Sequence, residues 1–216
     1  MNKIKNQNID KLSSLDKGQI IQPSVKKLID KHIKKGMDKF EDIESTFKPM
    51  NELNGYLYHE TEYSYPFNVD IVFEKYTSQN PSEAWNGKLL SFGLLVSKET
   101  KSVLYPGGNY EGAKAGQILY LNLNLFSGLV KLAVAHEIIE INYEKKQMVL
   151  SYIVGAESVG VQILDFIDNK DGTTKLKHIT YYKGDSKFRS KYIYPYFHTK
   201  VVNDYHKNMS MVLRGN

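Results

Sequence analysis

Six histidines and no cysteine limit the side-chain chemistry this chain can offer. Without thiols there is no disulfide frame, no thiolate metal site and no cysteine nucleophile, so imidazole is the side chain that titrates near neutral pH. Three local patterns invite a chemical reading. His136-Glu137-Ile138-Ile139-Glu140 has the outline of a zinc-protease helix with Glu in the last place. That chemistry needs a helix to bring both ends to one face. The alternation around His136 is strand-like, and a strand sends His136 and Glu137 to opposite sides. Asp168 to Gly172 (DNKDG) has the outline of a calcium loop, but its third and fifth positions are Lys170 and Gly172, whose side chains cannot ligate. The glycines at 107, 108, 112 and 116 lack the Gly-Lys-Ser/Thr ending of a phosphate loop and lead into a strand. That segment, 106–116, is expected to be a lid beside a pocket. No metal site and no cofactor follow from these patterns.

The stronger constellation is spread over strands. Alternation predicts strands at 89–96, 117–125, 130–142, 147–154, 159–167 and 174–183. A hairpin turning at 168–172 pairs Asp165 with Lys175 and Ile163 with Lys177, which sends the lysines to solvent. The other face then pairs Leu164 with Leu176 and Gln162 with His178. The preceding hairpin, turning at 155–158, pairs Leu150 with Leu164 and Tyr152 with Gln162. One inner row therefore reads Tyr152, Gln162, His178, with Leu164 and Leu176 beside it and Tyr182 further along. The strand at 130–142 is ambiguous: even positions put Leu132, Val134, His136 and Ile138 inside, odd positions put Ala133, Ala135, Ile139 and Ile141 there. Apolar walls around a few polar groups are the composition of a ligand pocket. The competing reading is a solid core in which Tyr152, Gln162 and His178 satisfy one another.

Helices flank these strands. Residues 1–22 show no period and are expected to be flexible. Pro23 opens an amphipathic helix, expected over 23–50, with Val25, Leu28, Ile29, Ile33, Met37, Phe40, Ile43 and Phe47 on one face. Its other face is rich in lysine, and it is expected to dock on the core, with partner recruitment as the alternative. Asn68 is placed to cap a short helix through Tyr76, and Ser82 to Trp85 adds a turn. A last helix starts near Phe188 and carries Phe197, Val201, Tyr205, Met209 and Leu213 on one face, with His198 and His206 eight residues apart. Pro195 either begins or kinks it.

The whole chain, 216 residues with 41% hydrophobic content, can bury one sizeable core. The net charge of +5 sits at the N-terminus: residues 1–50 hold 11 Lys/Arg against 7 Asp/Glu, and the rest hold 18 against 17. A nearly neutral body argues against nucleic-acid binding. No apolar run approaches a membrane span, and the polar start lacks a secretory signal, so the expected compartment is cytoplasmic. Oligomeric state leaves no mark on the sequence.

The order of elements carries a resemblance. A strand running into Pro and two short helical pieces (YSYPFNVDIVFEKYTSQNPSEAW) is followed by the run GQILYLNLNLF. Then come the pair VLSYIVGAESVGVQILDFID and TTKLKHITYY, and a closing helix from Tyr194 to Leu213. Over residues 55–213 this resembles the START-like (SRPBCC) superfamily of polyketide-cyclase and lipid-transfer type. The resemblance implies an α+β helix-grip fold: a curved antiparallel sheet around a long C-terminal helix, here with an extra N-terminal helix. Residues 51–216 would form that domain. It implies a cavity for a small hydrophobic or aromatic molecule, lipid or polyketide-like, lined by Tyr152, Gln162, His178, Leu164, Leu176, Tyr182 and His198. The alternative is a cyclase or dehydratase on the same scaffold. In that case His178 or His136 would be the general acid–base and Tyr152 a hydrogen-bond donor.

Overall fold

The computed structural model describes residues 9–156, 158–184, 186 and 188–215. Eight strands form one antiparallel sheet: β1 (Leu57–Tyr65), β2 (Leu90–Ser97), β3 (Ser102–Leu104), β4 (Gln117–Leu125), β5 (Val130–Asn142), β6 (Gln147–Tyr152), β7 (Ser158–Asp168) and β8 (Thr174–Gly184). The order across the sheet is β1-β8-β7-β6-β5-β4-β2-β3. From β4 to β8 the strands form a meander; β3 lies outside β2, which pairs with β4, and β1 lies at the opposite edge beside β8 because α2 (Val69–Ser78) and α3 (Pro81–Ala84) carry the chain from one edge to the other. Asn68 caps α2 as expected, its side chain accepting the Ile71 N–H at 3.0 Å. The curved sheet holds the long helix α4 (Tyr194–Leu213) on its inner face. Pro195 stands in the first turn of α4, where its missing N–H costs nothing, so it begins the helix; a single wide turn, Arg189–Ile193, leads into it.

The strand registers are offset from the expected ones by two residues. Asp165 pairs with Lys177, Gln162 with Thr180, Leu164 with His178 and Leu150 with Gln162. An offset of two preserves every inward and outward assignment, so the inner row survives while its partners change. The cause lies in the turns: between β7 and β8 Asp168 pairs with Thr174 and the Asn169 N–H reaches the Thr173 carbonyl at 3.1 Å, centring that loop one residue later, while Ser151 opposite Val161 centres the β6–β7 hairpin one residue earlier. The ambiguous parity of β5 also has a cause. A bulge between Ile138 and Glu140 switches faces within the strand. Leu132, Val134, His136 and Ile138 face inward before it, and Ile141 packs on the inner core after it.

The N-terminal expectations need correction. The helix, α1, spans Pro23–Lys34 rather than 23–50. Gly36, with φ of 86°, accepts the left-handed conformation that ends a helix, and it was the stop signal. Met37, Phe40 and Ile43 still bury their side chains, from a separate short turn at Phe40–Asp42. Nor does the segment before Pro23 behave as a flexible lead. Residues 1–8 lie outside the described residues, but Leu12, Leu15 and Ile20 are buried. Asp10 to Leu12 is fastened to Asp38 and Phe40 by main-chain hydrogen bonds of 2.7 and 2.8 Å.

Together residues 9–43 form a second layer on the outer face of the sheet. Leu12, Ile20, Val25, Ile29, Phe40 and Ile43 pack on Leu94, Val96, Ile118, Tyr120 and Ala135. Strand β4 is therefore covered on both sides: Ile118 and Tyr120 belong to the outer layer, Leu119 and Leu121 to the inner core. Gly93, at a bulge in β2, lets α1 approach, since a Cβ there would lie 3.0 Å from both methyls of Val25 and 2.9 Å from the Tyr120 carbonyl. No helix among the described residues is long and apolar enough to cross a membrane.

Candidate functional site

Between the inner face of the sheet and α4 lies a cavity of about 320 Å³. β4, β5 and β6 supply its apolar wall through Leu121, Leu123, Leu132, Val134 and Leu150, and α4 supplies Phe197 and Val201. Trp85, the single tryptophan, closes one side and stacks on Tyr205 with ring centroids 3.7 Å apart. The polar groups are His136, Tyr152, Ser158, Gln162, His178, Tyr194 and His198; none of the described lining side chains is charged.

Four of these seven polar groups, His136, Tyr152, Gln162 and His178, converge through alternation and register, and α4 adds Tyr194 and His198. His136 pairs directly with Tyr152 across β5 and β6, and Gln162 follows on β7. The Gln162 Nε2 donates to the Tyr152 hydroxyl and to His136 Nε2, both at 3.0 Å. Its Oε1 lies 2.9 Å from His178 Nε2. From His178 the row continues inward: its Nδ1 meets His206 Nε2 at 2.8 Å, His206 Nδ1 meets the Tyr76 hydroxyl at 2.6 Å, and Tyr76 meets the Tyr65 hydroxyl at 2.6 Å. At the cavity end the Tyr152 hydroxyl is hydrogen-bonded to that of Tyr194. His198 stacks on Tyr194 at 5.1 Å. Its Nε2 is 3.4 Å from Thr180 Oγ1, and its Nδ1 is buried without a partner among the described residues.

Burial with no acid alongside sets the charge state of this row. Desolvation pushes His136 down to about 4 and His206 to about 3. It holds His178 and His198 well below the ordinary imidazole value, with neighbouring imidazoles adding to the effect. The same desolvation pushes Tyr152 up to about 12 and Tyr194 well above the ordinary phenol value. All of these groups are neutral at physiological pH.

Of the residues singled out from sequence, the structure brings Tyr152, Gln162, His178, His136 and His198 to the cavity. Tyr182, buried, stands behind it, stacked on Tyr194 at 3.9 Å with its hydroxyl on the Ser190 carbonyl. Leu164 and Leu176 share the inner face but pack into the closed part of the core with Met148 and Phe166, away from the lining. The loop at 106–116 is not among the lining residues either. It is pinned to the helical end by Ala113 N–H to the Thr77 carbonyl (2.6 Å) and by the Asn80 side chain to the Gly108 carbonyl (2.9 Å), so it is no lid. Glu137 points outward to Lys98 at 2.7 Å, as a strand requires. Tyr194, His206, Tyr76 and Tyr65 were not foreseen as members of the row. The eight-residue spacing of His198 and His206 was the available clue, since it sets both on one side of α4.

No family model matches the chain, and no curated protein matches it by sequence. Its likeness to solved structures lies in the fold. Norcoclaurine synthase from Thalictrum flavum, solved with dopamine and hydroxybenzaldehyde, is 12% identical with a TM-score of 0.53, covering 79% of this chain and 94% of that one. The latex-like protein 151 of Panax ginseng is 14% identical with a TM-score of 0.53, covering 72% and 95%. The protein Ara h 8.0201 is 14% identical with a TM-score of 0.51, covering 75% and 100%. The likeness is one of fold: with an antiparallel sheet holding one long C-terminal helix, this chain has the helix-grip fold.

Proposed function

We propose that the protein binds one small, uncharged, apolar or aromatic molecule in the cavity between the sheet and α4. The observation that carries this reading is the lining: apolar walls, no described charged side chain, and a hydrogen-bonding row at one place only. A volume of about 320 Å³ is at the low end for ligand sites and suits a one- or two-ring molecule better than a two-chain lipid. Norcoclaurine synthase, of the same fold, was solved with two single-ring aromatic molecules. The test is native mass spectrometry and thermal shift with a panel of one-ring, two-ring and long-chain apolar compounds. One-ring and two-ring compounds should bind at one per chain. A panel in which only long-chain lipids bind, or none does, would overturn the reading.

The enzymatic alternative has less support. Both ring nitrogens of His178 are already engaged, and desolvation leaves it a weak base that stays neutral, without the acidic imidazolium proton a general acid needs. His136 has its Nε2 occupied by Gln162.

A further inference from the structure

The row from Tyr65 to Tyr194 has a direction, and the direction decides what the cavity offers a ligand. A neutral imidazole carries one N–H and one bare nitrogen, so an imidazole bonded at both nitrogens passes the hydrogen-bond direction on unchanged. With the Gln162 Nε2 toward Tyr152 and His136, its Oε1 takes a hydrogen from His178 Nε2. His178 Nδ1 then accepts from His206 Nε2, His206 Nδ1 accepts from Tyr76, and Tyr76 accepts from Tyr65. At the other end the Tyr152 oxygen is already an acceptor for Gln162. The Tyr152–Tyr194 contact uses one of the two phenolic hydrogens, and the other has no acceptor among the described residues. Both phenols line the cavity. The opposite direction is possible on paper, with the amide turned over. It leaves one Gln162 amide hydrogen unmet where the first direction leaves the His136 Nδ1–H, it gives the buried Tyr65 hydroxyl only the His206 carbonyl at a long 3.4 Å, and it consumes both phenolic hydrogens. A buried donor so poorly met is costly, so the first direction wins.

We infer that the Tyr152–Tyr194 pair is a one-hydrogen donor clamp selective for ligands with a neutral carbonyl oxygen, its polarity fixed by the Gln162–His178–His206 row behind it. This rests on the proposed ligand-binding cavity. With a carbonyl ligand every hydrogen along the line from Tyr65 to Tyr194 has an acceptor; the His136 Nδ1–H, on a side branch, has none among the described residues. A phenol brings a hydrogen of its own, which finds an acceptor only if the ligand hydroxyl closes a ring back onto the phenolic pair, a tighter geometric demand than a carbonyl makes. A carboxylate brings a charge that no described lining side chain balances.

Two measurements test the inference on the full chain. Nitrogen-15 NMR of the histidines should show the Nε2–H tautomer at His178 and His206 and the Nδ1–H tautomer at His136; the three opposite tautomers would overturn it. Calorimetric titration should then compare 2-acetylnaphthalene, 2-naphthol, 2-naphthoate and 2-ethylnaphthalene. The ketone should bind more tightly than the phenol, and the carboxylate most weakly. In the double variant Tyr152→Phe/Tyr194→Phe the ketone should lose about three- to tenfold more affinity than the ethyl compound. Either single variant should retain part of the preference, because the remaining phenol keeps a free hydrogen. Equal losses for ketone and ethyl compound, or a phenol preferred over the ketone, would overturn the clamp. Failure of all four compounds to bind would instead strike the cavity reading, with the tautomer result still standing on its own.

Discussion

The His32 Nδ1 and the Tyr120 hydroxyl meet at 3.0 Å beneath α1, on the side of the sheet opposite the cavity. Tyr120 is fully buried, and its neighbour Leu121 lines the cavity, so one strand turns alternate residues to two interiors. Tyr120→Phe leaves His32 Nδ1 without its partner in a buried place. The expected cost is about 1–3 kcal/mol in urea denaturation, with ligand affinity unchanged. A changed affinity would show that the outer layer sets the shape of the cavity.

The fit of α1 depends on Gly93. Gly93→Ala places a methyl 3.0 Å from Val25 and 2.9 Å from the Tyr120 carbonyl, contacts that are relieved only by shifting both α1 and the β2–β4 backbone. Overpacking of this kind costs about 1–3 kcal/mol, read as a lower urea midpoint with an unaltered slope.

Acid should destabilise the protein well before its carboxylates titrate. His32, His136, His178, His198 and His206 are all held below the ordinary imidazole value by burial. Below about pH 6.5 the unfolded chain takes up protons on these groups and the folded chain does not, so stability falls as pH falls. The fall continues until the folded groups begin to titrate, at about 4 for His32 and His136. Each group contributes at most about 1.4 kcal/mol per pH unit. Urea denaturation at pH 7.5, 6.5, 5.5 and 4.5 should show a plateau followed by a decline, with a shallower decline in His206→Gln. Stability that rises on acidification would contradict the buried neutral row.

Filling the cavity should separate folding from binding. Val134→Phe projects a ring from β5 into the space, adding buried apolar area at about 25 cal/mol per Å² and raising the melting temperature. Ligand binding should be lost in the same variant. Trp85 lies in the lining, so its fluorescence should respond to ligand in the wild type and stay unchanged in the variant.

Removal of residues 1–44 uncovers Leu94, Val96, Ile118 and Tyr120 together. The truncated chain should aggregate or bind a hydrophobic dye, because exposed apolar surface of that kind seeks other cover. A truncated chain that stays monomeric and dye-free would return α1 to the role of a partner-recruiting arm.

How far the sequence could be read followed the physical range of each signal. Period-two alternation is local, so the strands and the inward set Tyr152, Gln162 and His178 were legible. Register depends on where a turn centres, and both hairpins centre one residue from the expected place, later for β7–β8 and earlier for β6–β7, which moved these pairings by two without turning any residue over. The end of α1 hinged on the backbone of Gly36, outweighed in the reading by the apolar face that continues to Ile43. The row itself was only half visible. Tyr65, Tyr76 and His206 join it through contacts 11, 130 and 28 residues apart, which no local pattern encodes.

The two-sided burial of β4 gives this strand an unusual intolerance to length changes. One inserted residue would exchange its faces, sending Tyr120 and its hydroxyl toward the ligand space and Leu121 beneath α1. Most surface-facing strands could absorb such a slip by exposing a few apolar groups to water. Here neither face opens to water, one lying beneath α1 and the other against the inner core and the ligand space, so changes in this strand should come by substitution, with insertions placed in the connecting turns.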